Sequence, residues 1–208
     1  MARRTKAEAE ATRESLLDAA EEVFHDNGVA RTSLEQIARH AGVTRGAVYW
    51  HFKNKADLFM ALIEQVRMPF EELVAEVSGN AEDVSPLETL RLACHHSFIR
   101  LERPRHQRIL SILVHRCEFF SDINPLEMQE RLAKECHTEM CRHFQTAYEC
   151  GLLRADLDPE TAARLLQATF GGLLHDWLRN PEQYSLRQKG GELIDALFSL
   201  MRHSPAQE

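Results

Sequence analysis

The residues from Ser33 to Phe52, SLEQIARHAGVTRGAVYWHF, constrain this chain's fold more than any other stretch. Leu34, Ile37, Ala38 and Ala41 recur at i, i+3, i+4 and i+7, the spacing that puts side chains on one helix face. Thr32 precedes them with Glu35 three residues on, a capping-box pattern. Gly42 has the backbone freedom to end that helix, and Thr44 is placed to cap the next, whose inward residues are Ala47, Val48 and Phe52. Two short helices joined by a glycine-containing turn form a helix-turn-helix. With that inward face assigned, Thr44, Arg45, Gly46, Tyr49 and His51 face outward, a set with donors, a glycine for close approach and no carboxylate. Such a surface suits phosphates and base edges. On shape alone the pattern also fits an ordinary solvated hairpin in an all-α core.

The segments Ala30-Arg-Thr-Ser-Leu and Ala41-Gly-Val-Thr-Arg-Gly-Ala-Val-Tyr-Trp-His-Phe-Lys-Asn-Lys resemble the DNA-binding domain of the tetracycline-repressor (TetR) family. The opening Met1-Ala-Arg-Arg-Thr-Lys resembles the subgroup that controls multidrug efflux pumps, and so does Arg116-Cys117-Glu118-Phe119. The strong match covers roughly the first quarter of the chain. The resemblance implies an all-α homodimer with a helix-turn-helix domain over residues 1–54 and a ligand-binding and dimerisation domain over 55–208. It further implies a repressor that leaves a palindromic operator when a small apolar, drug-like inducer binds. By match to the family motif, Thr44 and Arg45 read base edges, while Tyr49, His51 and Lys55 hold phosphates with Thr32 and Ser33 assisting. Each recognition helix would enter a major groove, with half-sites about 34–36 Å apart.

Net charge of −7 sits badly with DNA binding until it is divided along the chain. Residues 1–53 hold eight basic and eight acidic groups, so the remainder carries the whole deficit. Arg3, Arg4 and Lys6 form a basic arm that can reach a groove, and Lys55 follows a helix start where backbone N–H groups favour phosphate. Local field matters more than total charge here. With 44% hydrophobic and 27% charged residues the composition is that of an ordinary globular protein. No apolar run approaches the ~18 residues of a membrane span. Five cysteines without CxxC pairing fit a reducing compartment, so a cytoplasmic protein without membrane contact is expected.

Helical periodicity continues to the end with no strand-like alternation. A first helix covers about 6–27. A fourth starts at Asn54 and runs through Phe59, Ile63, Val66, Phe70, Leu73 and Val77, with a kink expected at Pro69. Ser78-Gly79-Asn80 reads as a linker. Further helices are expected over about 86–103, 105–120, 125–151, 159–180 and 186–203.

The last two helices carry apolar stripes: Leu166, Phe170, Leu173, Leu174 and Trp177, then Leu193, Ile194, Leu197, Phe198, Leu200 and Met201. Leu166, Phe170, Leu173, Trp177, Leu193, Leu197, Phe198 and Met201 are expected to pair about a two-fold axis in a four-helix interface, with Gly171-Gly172 permitting close approach. The family resemblance implies an inducer pocket in the body of the chain, with Phe98, Leu113, His115, Cys117, Cys136, His137, Met140, Cys141, Phe144, Phe170, Leu174 and Trp177 as its expected lining, and soft and aromatic groups suit it because they repack around apolar ligands. Core packing explains each of them equally well. A metal- or redox-sensing regulator using Cys136, His137 and Cys141 is the alternative, though structural zinc wants four ligands in compact pairs and none are evident. No catalytic motif is present, and neither an enzyme nor a cofactor is expected.

Overall fold

A computed structural model describes residues 6–80, 84–117 and 124–203. Among them the chain is helical, with a single isolated bridge between Leu153 and Arg202. Contacts divide it into two compact units, one of residues 1–67 with 105–128 and the other of 68–104 with 129–208.

In the first unit, helix α1 (Lys6–Asn27) buries Leu16, Leu17, Ala20, Val23 and Phe24 and ends at Gly28, whose φ of 79° suits glycine. Helices α2 (Leu34–His40) and α3 (Arg45–His51) follow, joined through Gly42 at φ 68°. The cap of α2 falls one residue later than the sequence pattern placed it. Ser33 Oγ accepts the Gln36 N–H at 3.2 Å, and Gln36 Oε1 accepts the Ser33 N–H at 2.7 Å. Thr32 is 3% exposed, with its hydroxyl donating to the Gly28 carbonyl at 2.8 Å. Thr44 caps α3 as expected, accepting the Ala47 N–H at 3.3 Å. Helix α4 (Lys55–Glu64) is capped by Asn54, and its Phe59 meets Phe24 edge-on at 5.8 Å.

The single long fourth helix of the sequence reading is two helices. The chain leaves the helix at Gln65 and resumes in α5 (Phe70–Asn80), with the boundary between units at Arg67. Pro69 stands just before α5, where it lacks no needed N–H and its carbonyl accepts the Glu72 N–H at 3.0 Å. It starts a helix instead of kinking one. The expected linker at 78–80 is the last turn of α5.

Nor does packing break at residue 54, because α4 lies on α1. Helix α7 (Pro104–Ser111), from Arg105 onward, and the π-helical turn Ile112–Arg116 belong to the same unit. The buried carboxylate of Glu21 faces Arg105 and Arg108 at 3.5 and 3.4 Å, and the Val29 N–H donates to the Arg116 carbonyl at 3.1 Å. Residues 118–123 lie outside the described set.

The second unit holds α5, α6 (Pro86–Leu101), most of α8 (Pro125–Glu149), α9 (Pro159–Arg179), a π-helical turn Leu186–Gly190 and α10 (Gly191–Met201). Phe98 stacks on Phe170 at 4.9 Å and Phe144 on Phe198 at 6.2 Å. A Cβ at Gly191 would come within 2.9 Å of the His95 ring, so glycine lets α10 start against α6. Arg91 pairs with Glu88 and Asp195 at 2.6 Å each, and Arg202 with Glu88 at 2.6 Å, which ties α6 to α10.

Candidate nucleic-acid interface

Helix α3 is held by its Val48 side and by Phe52, which are buried against α1 and α2. Arg13 of α1 lies over the Phe52 ring at 5.5 Å. Thr44, Arg45, Gly46 and Tyr49 are exposed, as the periodicity required. A Cβ at Gly46 would meet nothing nearer than Thr44 Oγ1 at 4.0 Å, so that side lies open to an incoming surface. His51 is only half-buried surface, because it falls four residues after Ala47, on the flank that turns toward the core.

Trp50 is the residue that sequence reasoning passed over. It is 72% exposed and lies four residues after Gly46, on the same open face. Its indole meets the His51 ring edge-on at 4.5 Å. An indole left in solvent offers a large rigid apolar contact and one N–H donor, the usual equipment of a binding surface. Its spacing from Gly46 was the available signal.

The acid-free character of this surface holds for α3 and not for its neighbour. Glu35, in the first turn of α2, accepts a hydrogen bond from Tyr49 Oη at 3.0 Å and pairs with Arg45 Nε at 3.2 Å. Arg45 also lies over the Tyr49 ring at 5.6 Å. Glu35's own backbone N–H, followed by the Tyr49 hydroxyl, holds its carboxyl below the usual range, with Arg45 adding to the effect. One carboxylate therefore positions the two side chains expected to meet DNA.

Two of the expected phosphate contacts are placed otherwise. Thr32 is turned inward, its hydroxyl already used on Gly28. Lys55 Nζ donates to the Val29 carbonyl at 2.7 Å and to Ala30 at 3.0 Å, and burial pulls its pKa down. The ammonium thus satisfies carbonyls of the turn between α1 and α2. Ser33 is half-buried, with its hydroxyl occupied in the cap. Arg3 and Arg4 lie outside the described residues.

The expected inducer lining divides between the units. Leu113, His115 and Cys117 belong to the first, with Leu113 buried and His115 exposed. Phe98, Cys136, His137, Met140, Cys141, Phe144, Phe170, Leu174 and Trp177 belong to the second, where Phe98, Met140, Phe144 and Trp177 are core. The expected dimer stripes are also corrected. Leu166, Trp177, Phe198 and Met201 are at most 2% exposed within one chain and have no surface left for a second copy. The apolar groups that do reach solvent are Leu165, Leu193 and Leu200, with Phe170, Leu173 and Leu197 half-buried. Both faces of α9 and α10 are apolar, so periodicity could not tell the inner stripe from the outer one. Gly171 and Gly172 are exposed, with open space where a Cβ would stand.

Three of the thiols, Cys94, Cys117 and Cys141, are poorly suited to redox sensing. Burial pushes Cys94 up to about 12 and Cys117 to about 11, and burial with the Glu160 carboxylate pushes Cys141 to about 11. The thiolate is the reactive form, and it is scarce at such values. Cys136 is near enough to Cys94 to raise that thiol's pKa, and it stands apart from the group that His137 and Cys141 form with Glu160.

An all-α chain that presents a capped, rigid α2–turn–α3 unit with Arg45, Tyr49 and Trp50 on its open face is a helix-turn-helix DNA-binding regulator. Comparison with known proteins gives the family. Residues 16–62 match the model for bacterial regulatory proteins of the tetR family, and residues 85–203 match the C-terminal region of MAATS-type transcriptional repressors. The chain is 39% identical to the transcriptional regulator TtgR of Pseudomonas putida over 99% of both chains. It superposes on NalD, the secondary repressor of the MexAB-OprM multidrug efflux pump of Pseudomonas aeruginosa, with a TM-score of 0.84 and 37% identity, covering 96% of this chain and 100% of NalD. It is also similar to SmeT, repressor of the Stenotrophomonas maltophilia efflux pump SmeDEF, in its triclosan complex, with a TM-score of 0.80, 40% identity and 93% of each chain covered. The chain belongs to the TetR family of transcriptional regulators. Among the described residues no helix is long and apolar enough to cross a membrane.

Proposed function

We propose that this protein is a ligand-responsive repressor of a multidrug efflux operon, binding a palindromic operator as a homodimer and released by a small apolar inducer. The observation that carries this is full-length similarity to efflux repressors joined to an intact, solvent-facing α3. Arg45 and Thr44 read base edges, Tyr49, Ser33 and His51 contact the backbone with Arg3 and Arg4 in support, and Gly46 and Trp50 provide close apolar approach. The dimer forms through the outer stripes of α9 and α10, around Leu165, Leu193 and Leu200. The inducer binds among the aromatic and sulfur-bearing side chains of the C-terminal region. It needs only a preference for the DNA-incompetent state, and the coupling is then reciprocal.

Triclosan is the natural first probe, given the SmeT complex. A preformed complex with the DNA upstream of the protein's own gene is titrated with it in a fluorescence-anisotropy assay. Release that saturates supports the reading, provided that operator DNA in turn weakens triclosan binding by the same factor. Triclosan binding without any change in DNA affinity would refute the coupling.

A further inference from the structure

His137 and Cys141 lie one turn apart on α8, and Glu160 reaches them from the first turn of α9. Cys141 Sγ is 3.4 Å from His137 Nε2 and 3.1 Å from Glu160 Oε2, and His137 Nε2 is 3.1 Å from Glu160 Oε1. Around a tetrahedral zinc, with Zn–S about 2.3 Å and Zn–N or Zn–O about 2.0–2.1 Å, ligand atoms stand about 3.3–3.6 Å apart. The imidazole and the sulfur face different oxygens of Glu160, and one ligand atom from each of the three residues lies within 4.8 Å of the others, so a turn of the carboxylate would bring the set to that spacing. His137 is mostly buried, and its Nδ1 is buried without a partner, so the ring meets its surroundings through Nε2. Arg164 holds the carboxylate through Oε1, which leaves Oε2 toward the sulfur.

We propose that His137, Cys141 and Glu160 form a three-ligand site for a divalent transition metal of the zinc class, clamping α8 to the start of α9. One thiolate, one imidazole and one carboxylate make a borderline-soft donor set of the kind zinc and cobalt accept, and the exposed side leaves the fourth position to water. On binding, the S–H bond breaks, an S–metal bond forms, and the proton passes to solvent. No oxidation state changes. The ion binds the arrangement in which the two helices stand at this spacing, so it stabilises that arrangement by mass action. The site's presence is independent of the efflux reading. The ligand set also differs from the Cys136, His137 and Cys141 grouping that the sequence alone offered.

The test is a Co2+ titration of the reduced, metal-free, full-length protein, followed by absorbance. One equivalent per chain should produce a thiolate-to-cobalt charge-transfer band together with the intense visible bands of four-coordinate cobalt, and one equivalent of Zn2+ should bleach both. Cys141→Ser should abolish the charge-transfer band. His137→Phe and Glu160→Gln should each weaken cobalt binding at least tenfold. Zn2+ should raise the thermal midpoint of the wild type and leave that of Cys141→Ser unchanged. Operator binding by each metal-free variant reports that it has folded. Absence of the band in the wild type, its persistence in Cys141→Ser, or unaltered affinity in both His137→Phe and Glu160→Gln would overturn the site.

Discussion

Replacing Lys55 by Met separates two roles for this ammonium. As the first residue of α4 it is well placed for a phosphate, yet its Nζ is bonded to the Val29 and Ala30 carbonyls at 2.7 and 3.0 Å. Methionine keeps much of the apolar stem and removes both donors. Hydrogen bonds from a charged donor contribute about 1.5–3 kcal/mol each, and the loss is largest where water cannot take the donor's place. Val29 is fully buried and Ala30 only half-buried, so water can replace one bond more readily than the other. Desolvation of the ammonium, seen in its lowered pKa, offsets part of the gain. A net loss of about 2 kcal/mol follows from these opposing terms. In urea unfolding monitored by circular dichroism the midpoint should fall with the slope unchanged. The slope of log affinity against log salt for operator DNA should stay at the wild-type value. Wild-type stability combined with a salt slope shallower by about one unit would refute the capping role and return Lys55 to the phosphate contacts.

Other outcomes follow from the same geometry. Arg45→Ala should weaken operator binding and relax base preference at one position, measured by competition with single-site operator variants; equal loss on every sequence would contradict base reading. Glu35→Gln should raise affinity for random DNA more than for operator, because the carboxylate that competes with phosphate for Arg45 is gone; an unchanged ratio would show that Glu35 only orients its neighbours. Leu200, 69% exposed on α10, should when changed to Glu give monomers in sedimentation and much weaker operator binding, whereas persistent dimers would move the interface elsewhere. Hydrogen bonding to Arg91, reinforced by Arg202, holds the Glu88 pKa below its ordinary 4.5. Its stabilisation is therefore present above the unfolded value and is lost as pH falls through the folded one. The stability advantage of wild type over Glu88→Gln should persist at neutral pH and shrink below about 4.5, and a constant difference would contradict the pairing.

The helix-turn-helix was legible because its signals are local: a hydroxyl cap, a glycine at positive φ and a 3.6-residue apolar period lie within one short stretch. What escaped was set by packing between distant segments. Nothing near Glu21 in sequence announces that Arg105 and Arg108 neutralise it, so the membership of α7 in the first unit was hidden. The apolar period runs through Pro69 and so points to a kink, yet the same proline is suited to start a helix once the preceding one stops. The dimer stripes failed for another reason. On α9 and α10 two apolar faces share one helix, and only burial shows that Leu166 and Phe198 look inward while Leu165 and Leu200 look out. His137 and Cys141 were visible as an i, i+4 pair, but Glu160 joins them only through the fold.

Footprinting reduced, metal-free protein on the DNA immediately upstream of its own gene shows whether α3 reads a palindromic operator in two symmetric halves. A salt-sensitive footprint with two-fold symmetry is expected, its half-sites lost together in Leu200→Glu and its base preference, not merely its strength, changed in Arg45→Ala. Failure to bind any such fragment at low salt, or a footprint without two-fold symmetry, would contradict that reading.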